Sequence, residues 1–239
     1  KYMTTIYGTD IYIGFIHIMS LEYNLARSIE TIRNEDGPFR DLSDFVTRAA
    51  PGLEQVMLLI KAGAFRFTGK KKSVLLWEVH MMINKNKHES IRPLFSPPVR
   101  NFTLPELAQN KIEDIYDEIE LFGFPVTASW FDMLKTPFRG EIAAHSMSEF
   151  TGKTIRMVGH LVTVKYIKTV KNDWMNFGCF IDSEGSFFDT VHFSQSLKSW
   201  PFKGSGTYLL LGKIVEDFGF PSLEVEKMAK LPVRPDQRY

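Results

Sequence analysis

The apolar residues of this chain change their period once. In the N-terminal third they recur every three or four positions, and from Thr151 onward they recur every second position. Helices and half-buried strands are the conformations that gather such spacings onto one face. The expectation is therefore an α+β protein of two domains, helical first and all-β second.

In the helical part, Leu21, Leu25, Ile29 and Ile32 form one stripe that stops at Asp36-Gly37-Pro38. Asp41, with Asp44 three residues on, marks the start of a second helix that ends at Pro51-Gly52. "LEQVMLLIKAGAF" predicts a third helix, with Gly63 as its C-terminal stop, and "KKSVLLWEVHMMINK" a fourth. Helices this short need one another to bury their apolar faces. From His88 the proline-rich "HESIRPLFSPPVRNFTLP" breaks the pattern and reads as a linker or docking segment. The acidic "PELAQNKIEDIYDEIELFG" predicts a solvated helix, and an irregular aromatic stretch then runs to Phe150. The expected divisions are 1–90 for the helical domain, 91–150 for linker and acidic connector, and 151–239 for the sheet.

In the sheet part, Ile155 and Met157 lie on one parity and Val162 and Val164 on the other; a bulge near Gly159 would return all four to one side. A hairpin about Glu184-Gly185 follows, then a short helix at "SQSLKSW", then two strands joined across "FGF". Five strands, with a bent first strand and a helix between the third and fourth, describe a small OB-type barrel.

Charge and motif content exclude several function classes. The two Thr-Gly-Lys sequences, "TGKTI" and "TGKKKS", lack the earlier glycine of a phosphate loop at the required spacing. No carboxylate pair, GxSxG or Cys–His combination suggests catalysis, and six scattered histidines without ligand spacing suggest no metal. No catalytic residue and no cofactor are expected. Cys179, the single cysteine, reads as a small buried filler in a reducing, cytoplasmic setting, and no apolar run is long enough to span a membrane. The net charge is only +1, yet from Phe150 through Asn172 there is no acidic residue, while Lys153, Arg156, Lys165, Lys168 and Lys171 all fall there. In OB barrels, cationic tracks and exposed aromatic rings bind single strands near the loops joining strands one to two and four to five. Here those loops are "TVKNDW" and "EDFGF". The interface is therefore expected at Lys165, Lys168, Lys171, Trp174, Phe177, Phe187, His192, Lys213, Phe218 and Phe220. Rim packing of the rings and ordinary solvation of the lysines are the competing reading, that of a protein-interaction module or interdomain spacer. An anticodon-binding OB module is a third.

"GKTIRMVGHLVTVKYIKTVKNDWMNFGCFIDSEGSFFDTVHF" resembles the OB domain of the bacterial DNA polymerase III alpha subunit family, and keeps Thr169, Met175, Phe177, Asp182 and Gly185 of its pattern. "YIGFIHIMSLEYNLARSIETIRNEDGPFRDLSDFVTR" and "LEQVMLLIKAGAFRFTGKKKSVLLWEV" are similar to that family's two helix-hairpin-helix segments, with "LIKAGAF" the most specific block. "EIELFGFPVTASWF" resembles the segment that follows. The resemblance implies a tandem helix-hairpin-helix domain before the barrel, a polymerase domain upstream of Lys1, and a non-catalytic C-terminal role for this chain. It implies single-stranded template on the barrel and duplex near the helices, where Lys70, Lys71 and Lys72 are the candidates. Ser20 and Glu22 stand where the first hairpin of the family has phosphate-approaching glycines. "IRPLF" falls where the family carries its sliding-clamp motif, making Ile91, Leu94 and Phe95 candidate clamp contacts; a locally packed linker is the alternative.

Overall fold

The structure, a computed structural model, describes residues 1–88, 110–170 and 172–238. They fall into two compact units, Lys1–Thr127 with the tail from Asp236, and Ala128–Pro235. Of the stretch read as a connector, 110–127 groups with the first unit and 128–150 with the second.

The first unit is built from helices with legible stops. Helix α1 (Tyr23–Asp36) ends at Gly37, whose φ of 82° a side chain would strain. Helix α2 (Leu42–Ala49) starts where the Asp41 carboxylate accepts the Asp44 N–H at 2.8 Å. Helix α3 (Leu53–Lys61) runs to the Gly63 turn, and α4 (Lys72–His88) and α5 (Lys111–Phe122) follow. Leu25 and Ile29 of the predicted stripe are buried with Leu42, Phe45, Val56, Leu59, Ile60, Phe65, Leu75, Val79 and Leu121. The unit is not all-α. Strands β1 (Thr5–Tyr7) and β2 (Asp10–Tyr12) pair antiparallel ahead of the helices, around a turn at Gly8.

A second correction concerns α5, read as a solvated acidic helix. Asp117 and Glu118 are buried. Glu118 has no exposed surface and accepts from Arg66 Nη2 at 2.9 Å and from Val126 N–H, Thr127 N–H and Thr127 Oγ1 at 2.8 Å each. Asp117 meets Arg238 at 2.7 Å and Lys61 at 3.7 Å. A carboxylate leaves water only where cations and amides replace its solvation, and both acids are so supplied. Those partners lie outside the helix, Val126 and Thr127 just beyond its end and Arg66, Lys61 and Arg238 far along the chain, which is why the helix read by itself looks exposed.

The second unit is a closed barrel in the order β3-β4-β5-β7-β6, closed by β6 pairing with β3. Its strands are β3 (Thr154–Lys168), β4 (Trp174–Ile181), β5 (Phe187–His192), β6 (Thr207–Asp217) and β7 (Phe220–Lys230), with α6 (Ser194–Ser199) between β5 and β6. The neighbours are antiparallel except β5 and β7, which run parallel. This is the five-stranded Greek-key arrangement of an OB fold. Its interior holds Met157, Phe180, Phe188, Tyr208, Leu210, Ile214, Leu223 and Val225.

The bulge in β3 lies between Leu161 and Thr163, not at Gly159. Val162 is the residue thrown out, and it is exposed. Gly159 serves a different need: a Cβ there would sit 2.6 Å from Phe188 Cζ and 2.8 Å from Phe180 Cβ, so only glycine lets the strand cross those rings. A second register shift, between Leu211 and Gly212, adds curvature on the opposite wall.

The irregular stretch before Thr151 is part of the barrel's covering. Phe131, Met133, Leu134, Ala144 and Met147 are buried, and Asp182 Oδ2 accepts the Ala144 N–H at 2.8 Å. The other Asp182 oxygen accepts from Glu184 N–H and Ser186 N–H, closing the β4–β5 turn. Asp182 and Gly185 (φ 87°) thus shape that turn and anchor it.

Candidate nucleic-acid interface

Strands β3 and β4 pair along the arm that leads to the turn joining them, with Lys165, Tyr166, Lys168, Trp174 and Phe177 exposed, Ile167 and Met175 half-buried and Asn176 buried. Lys168 stands opposite Trp174, Ile167 opposite Met175, Tyr166 opposite Asn176 and Lys165 opposite Phe177. The Lys168 ammonium lies over the Trp174 ring, 5.1 Å from its centroid, and the ring keeps 54% of its surface exposed. Thr169 orders the turn: its N–H donates to Asp173 O, its Oγ1 accepts the Asp173 N–H, and its carbonyl accepts the Asn172 N–H. Asn172 takes a φ of 63°, a conformation asparagine tolerates better than most residues. Lys171 lies outside the described residues. Among those described, neither Lys165 nor Lys168 has a carboxylate within ion-pair distance.

Sequence reasoning passed over Tyr166. It is exposed, and the strand's alternation gives it the parity of Lys168, whose partner is Trp174. That two-residue spacing was the available signal.

On the opposite, outer face the ladder sets Lys165, Phe177 and Val191 in one row and Thr163, Cys179 and Asp189 in the next. Phe187, opposite Ile181, is exposed. Cys179 is half-buried on this outer face instead of filling the core. Burial and then a hydrogen bond with Asp189 push its thiol pKa up, so it is a poor nucleophile. The face changes sign toward β7, where Val191 pairs with Glu224. Lys213 belongs to that wall, its ladder neighbours being Thr154 and Glu224. The structure does not bring it to the Lys168–Trp174 pair.

The β6–β7 turn presents its rings differently. Asp217 pairs with Phe220, so Phe218 and Gly219 form a two-residue turn with φ of 52° and 82°. Phe218 is 94% exposed in a left-handed conformation that costs a bulky residue energy, and no packing offsets that cost. Phe220 is also exposed, and Glu216 and Asp217 precede the tip.

His192 is removed from the interface. It is fully buried inside the barrel, its ring 4.6 Å from that of Phe202. Thr190 Oγ1 donates to Gly178 O, so it accepts from His192 Nε2 at 2.8 Å. Burial holds the His192 pKa down to about 4, leaving a neutral ring. His160 is similarly depressed to about 4, by burial and then by the Lys230 charge, and stacks on Trp130 at 4.6 Å.

The helical unit answers its own expectations. Ser20 has a φ of 63°, the backbone shape for which a hairpin glycine would be chosen. The Glu22 N–H donates to Gln55 Oε1 at 2.9 Å, and Gln55 Nε2 donates to Ser20 O at 3.2 Å. That amide is therefore spent within the protein. Gly63 has a φ of 77°, and a Cβ there would come within 2.9 Å of the Arg66 guanidinium. Of the three candidate duplex lysines, Lys70 pairs with Glu78. Lys72 is 14% exposed with Asp114 at 3.2 Å and Asp117 at 3.9 Å, which makes it an internal counter-ion and no phosphate contact. Lys71 is exposed. Ile91, Leu94 and Phe95 lie outside the described residues. Among those described, no three His, Cys, Asp or Glu side chains gather as a metal site requires.

Residues 1–75 match the helix-hairpin-helix motif family. No curated protein matches the chain. Among solved structures, the chain is similar to the single-stranded DNA binding protein of Thermus aquaticus, at 16% identity over 35% of this chain and 42% of that one, with a TM-score of 0.32. It is similar to the N-terminal domain of PriB from Thermoanaerobacter tencongensis, at 7% identity over 33% and 96%, with a TM-score of 0.28. RecG bound to a three-way DNA junction matches 70% of this chain and 23% of its own length, at 14% identity and a TM-score of 0.24. The chain thus joins a helix-hairpin-helix match at one end to a closed five-stranded barrel at the other.

Proposed function

We propose that the chain is a DNA-binding module whose barrel holds single-stranded template along the β3–β4 arm. The observation that carries this reading is the Lys168–Trp174 pair, a cation and an indole face held together on an exposed ladder with no carboxylate beside the cation. The helix-hairpin-helix match over residues 1–75 supports it. Phosphates are met by Lys168, with Lys171 near it in sequence, and bases stack on Trp174 and Tyr166, while Lys165 and Phe177 offer a cation and a ring on the opposite face of the same arm. Phe187, Phe218 and Phe220 extend the aromatic surface.

In its finer form the reading makes this the C-terminal part of a bacterial DNA polymerase III alpha subunit, acting in replication in the cytoplasm. Polymerisation resides upstream, this part contributes no catalytic group and no cofactor, and Ile91, Leu94 and Phe95 reach a sliding clamp. The sequence blocks around "LIKAGAF" and Thr169 to Gly185 support it.

Fluorescence anisotropy of labelled oligonucleotides tests the proposal. Two or three phosphate contacts on a single strand predict a log–log salt slope of about −1.4 to −2.1. Lys168→Glu and Trp174→Ala each weaken binding. The rival reading, an interdomain spacer, draws on the occupied Glu22 amide and the neutralised Lys70 and Lys72; absence of binding at low salt would select it.

A further inference from the structure

We propose that the groove between α6 and β7 binds a basic peptide segment of a partner protein, seating a lysine or arginine side chain against aromatic rings and carboxylates. The groove holds about 380 Å³, with Phe193 and Trp200 on the helix side, Glu224 and Glu226 on the strand side, and Gln195 and Ser199 at its rim. Both rings are exposed although they flank a helix. A guanidinium or ammonium over such a ring is attracted by its negative face, more strongly as it loses water.

The charge of the groove selects its occupant. Glu224 and Glu226 line it and no lysine or arginine does. Lys213 stands across the ladder from Glu224, and Lys198 and Lys227 are exposed on α6 and β7, yet among the described residues none forms an ion pair with either acid. Two carboxylates repel a phosphate backbone, so this groove is not a continuation of the β3–β4 arm.

The backbone beside the groove is already capped. On this side β5 pairs with β7 only through Ser222, Leu223 and Glu224. Beyond them Ser196 Oγ donates to the Glu226 carbonyl at 3.0 Å, in the place a neighbouring strand's amide would take. A peptide therefore lies across the groove and is held through its side chains, without pairing to the strand.

The test is a titration of the full ¹⁵N-labelled chain with capped nonalysine and nona-arginine peptides, with nonaglutamate as control. The proposal expects saturable shifts confined to residues 193–200 and 222–227. Trp200→Ala and Glu226→Gln, both surface changes, should each weaken binding about three- to tenfold, with spectra otherwise unchanged. Equal shifts over the acids of α5, or binding indifferent to Trp200→Ala, would reduce the effect to diffuse charge and overturn the proposal. So would concentration-dependent shifts without peptide, which would assign the groove to a second copy of the chain, or the same shifts produced by oligothymidylate.

Discussion

The helical unit and the barrel's β3–β4 arm handle charge in opposite ways. In the helical unit cations are turned toward carboxylates: Lys72 toward Asp114 and Asp117, Arg66 toward Glu118, Lys70 toward Glu78. In the barrel the buried titratable groups include His160 and His192, held neutral, while Lys165 and Lys168 stand on an exposed arm away from acids. In the denser run at 70–72, Lys70 and Lys72 are taken up by carboxylates, whereas Lys165 and Lys168 of the sparser set on β3 are left available. A lysine's value as a phosphate contact is set by where the fold places counter-ions, and those are distant in sequence.

The largest expected effect separates the two units by pH. The folded barrel holds both histidines near 4 against 6.5 in the unfolded chain, so the unfolded chain takes up protons that the folded barrel refuses. Stability is complete above pH 6.5 and is lost as pH falls toward 4, on the order of 2 kcal/mol per histidine. Urea unfolding from pH 7 to 4.5 checks this, and replacing His192 with Gln should flatten the slope.

Next in size is Glu118→Ala. It strands the Val126 and Thr127 donors and should cost the helical unit about 3 kcal/mol in thermal or urea unfolding, while oligonucleotide binding by the barrel stays unchanged. Trp174→Ala reverses that pattern. It should lose about 1–3 kcal/mol of single-strand affinity with little change in melting temperature, because the ring is exposed. Phe218→Asn tests the strained tip: relief of the left-handed phenylalanine should stabilise the barrel by about 0.5–1 kcal/mol, and a fall in affinity would show that the ring is held out for a base. Smallest is Lys70→Ala, expected to leave affinity within about twofold and stability within about 0.5 kcal/mol, since its ion pair is partly exposed.

Much of the fold was legible because the signals were local. Asp41, Gly37 and Gly63 act where the turn chemistry places them, and the period-two pattern led to five strands and a barrel. The errors arose where a residue's role depends on a remote neighbour. Gly159 looked like a bulge because glycine often marks one, but Phe180 and Phe188 are what require it. Glu118 looked solvated because Arg66 and Thr127 are invisible from within its helix. His192 is different: it shares the parity of Phe188 and Thr190, so its inward direction could have been read from the strand itself. The β1–β2 hairpin also had a signal, the alternating residues around Gly8, but each strand is only 3 residues long. At the interface, Trp174 and Lys168 were found beside the loop, and Tyr166 was missed although it sits next to Lys165 on the same strand, with the parity of Lys168.

The most direct test is a residue-by-residue footprint. A ¹⁵N-labelled chain titrated with oligothymidylate at low salt should shift residues 165–177 at saturation and leave residues 70–72 unmoved. Shifts concentrated in the helical unit, or none along the β3–β4 arm, would contradict the assignment of the single-strand site to Lys168 and Trp174.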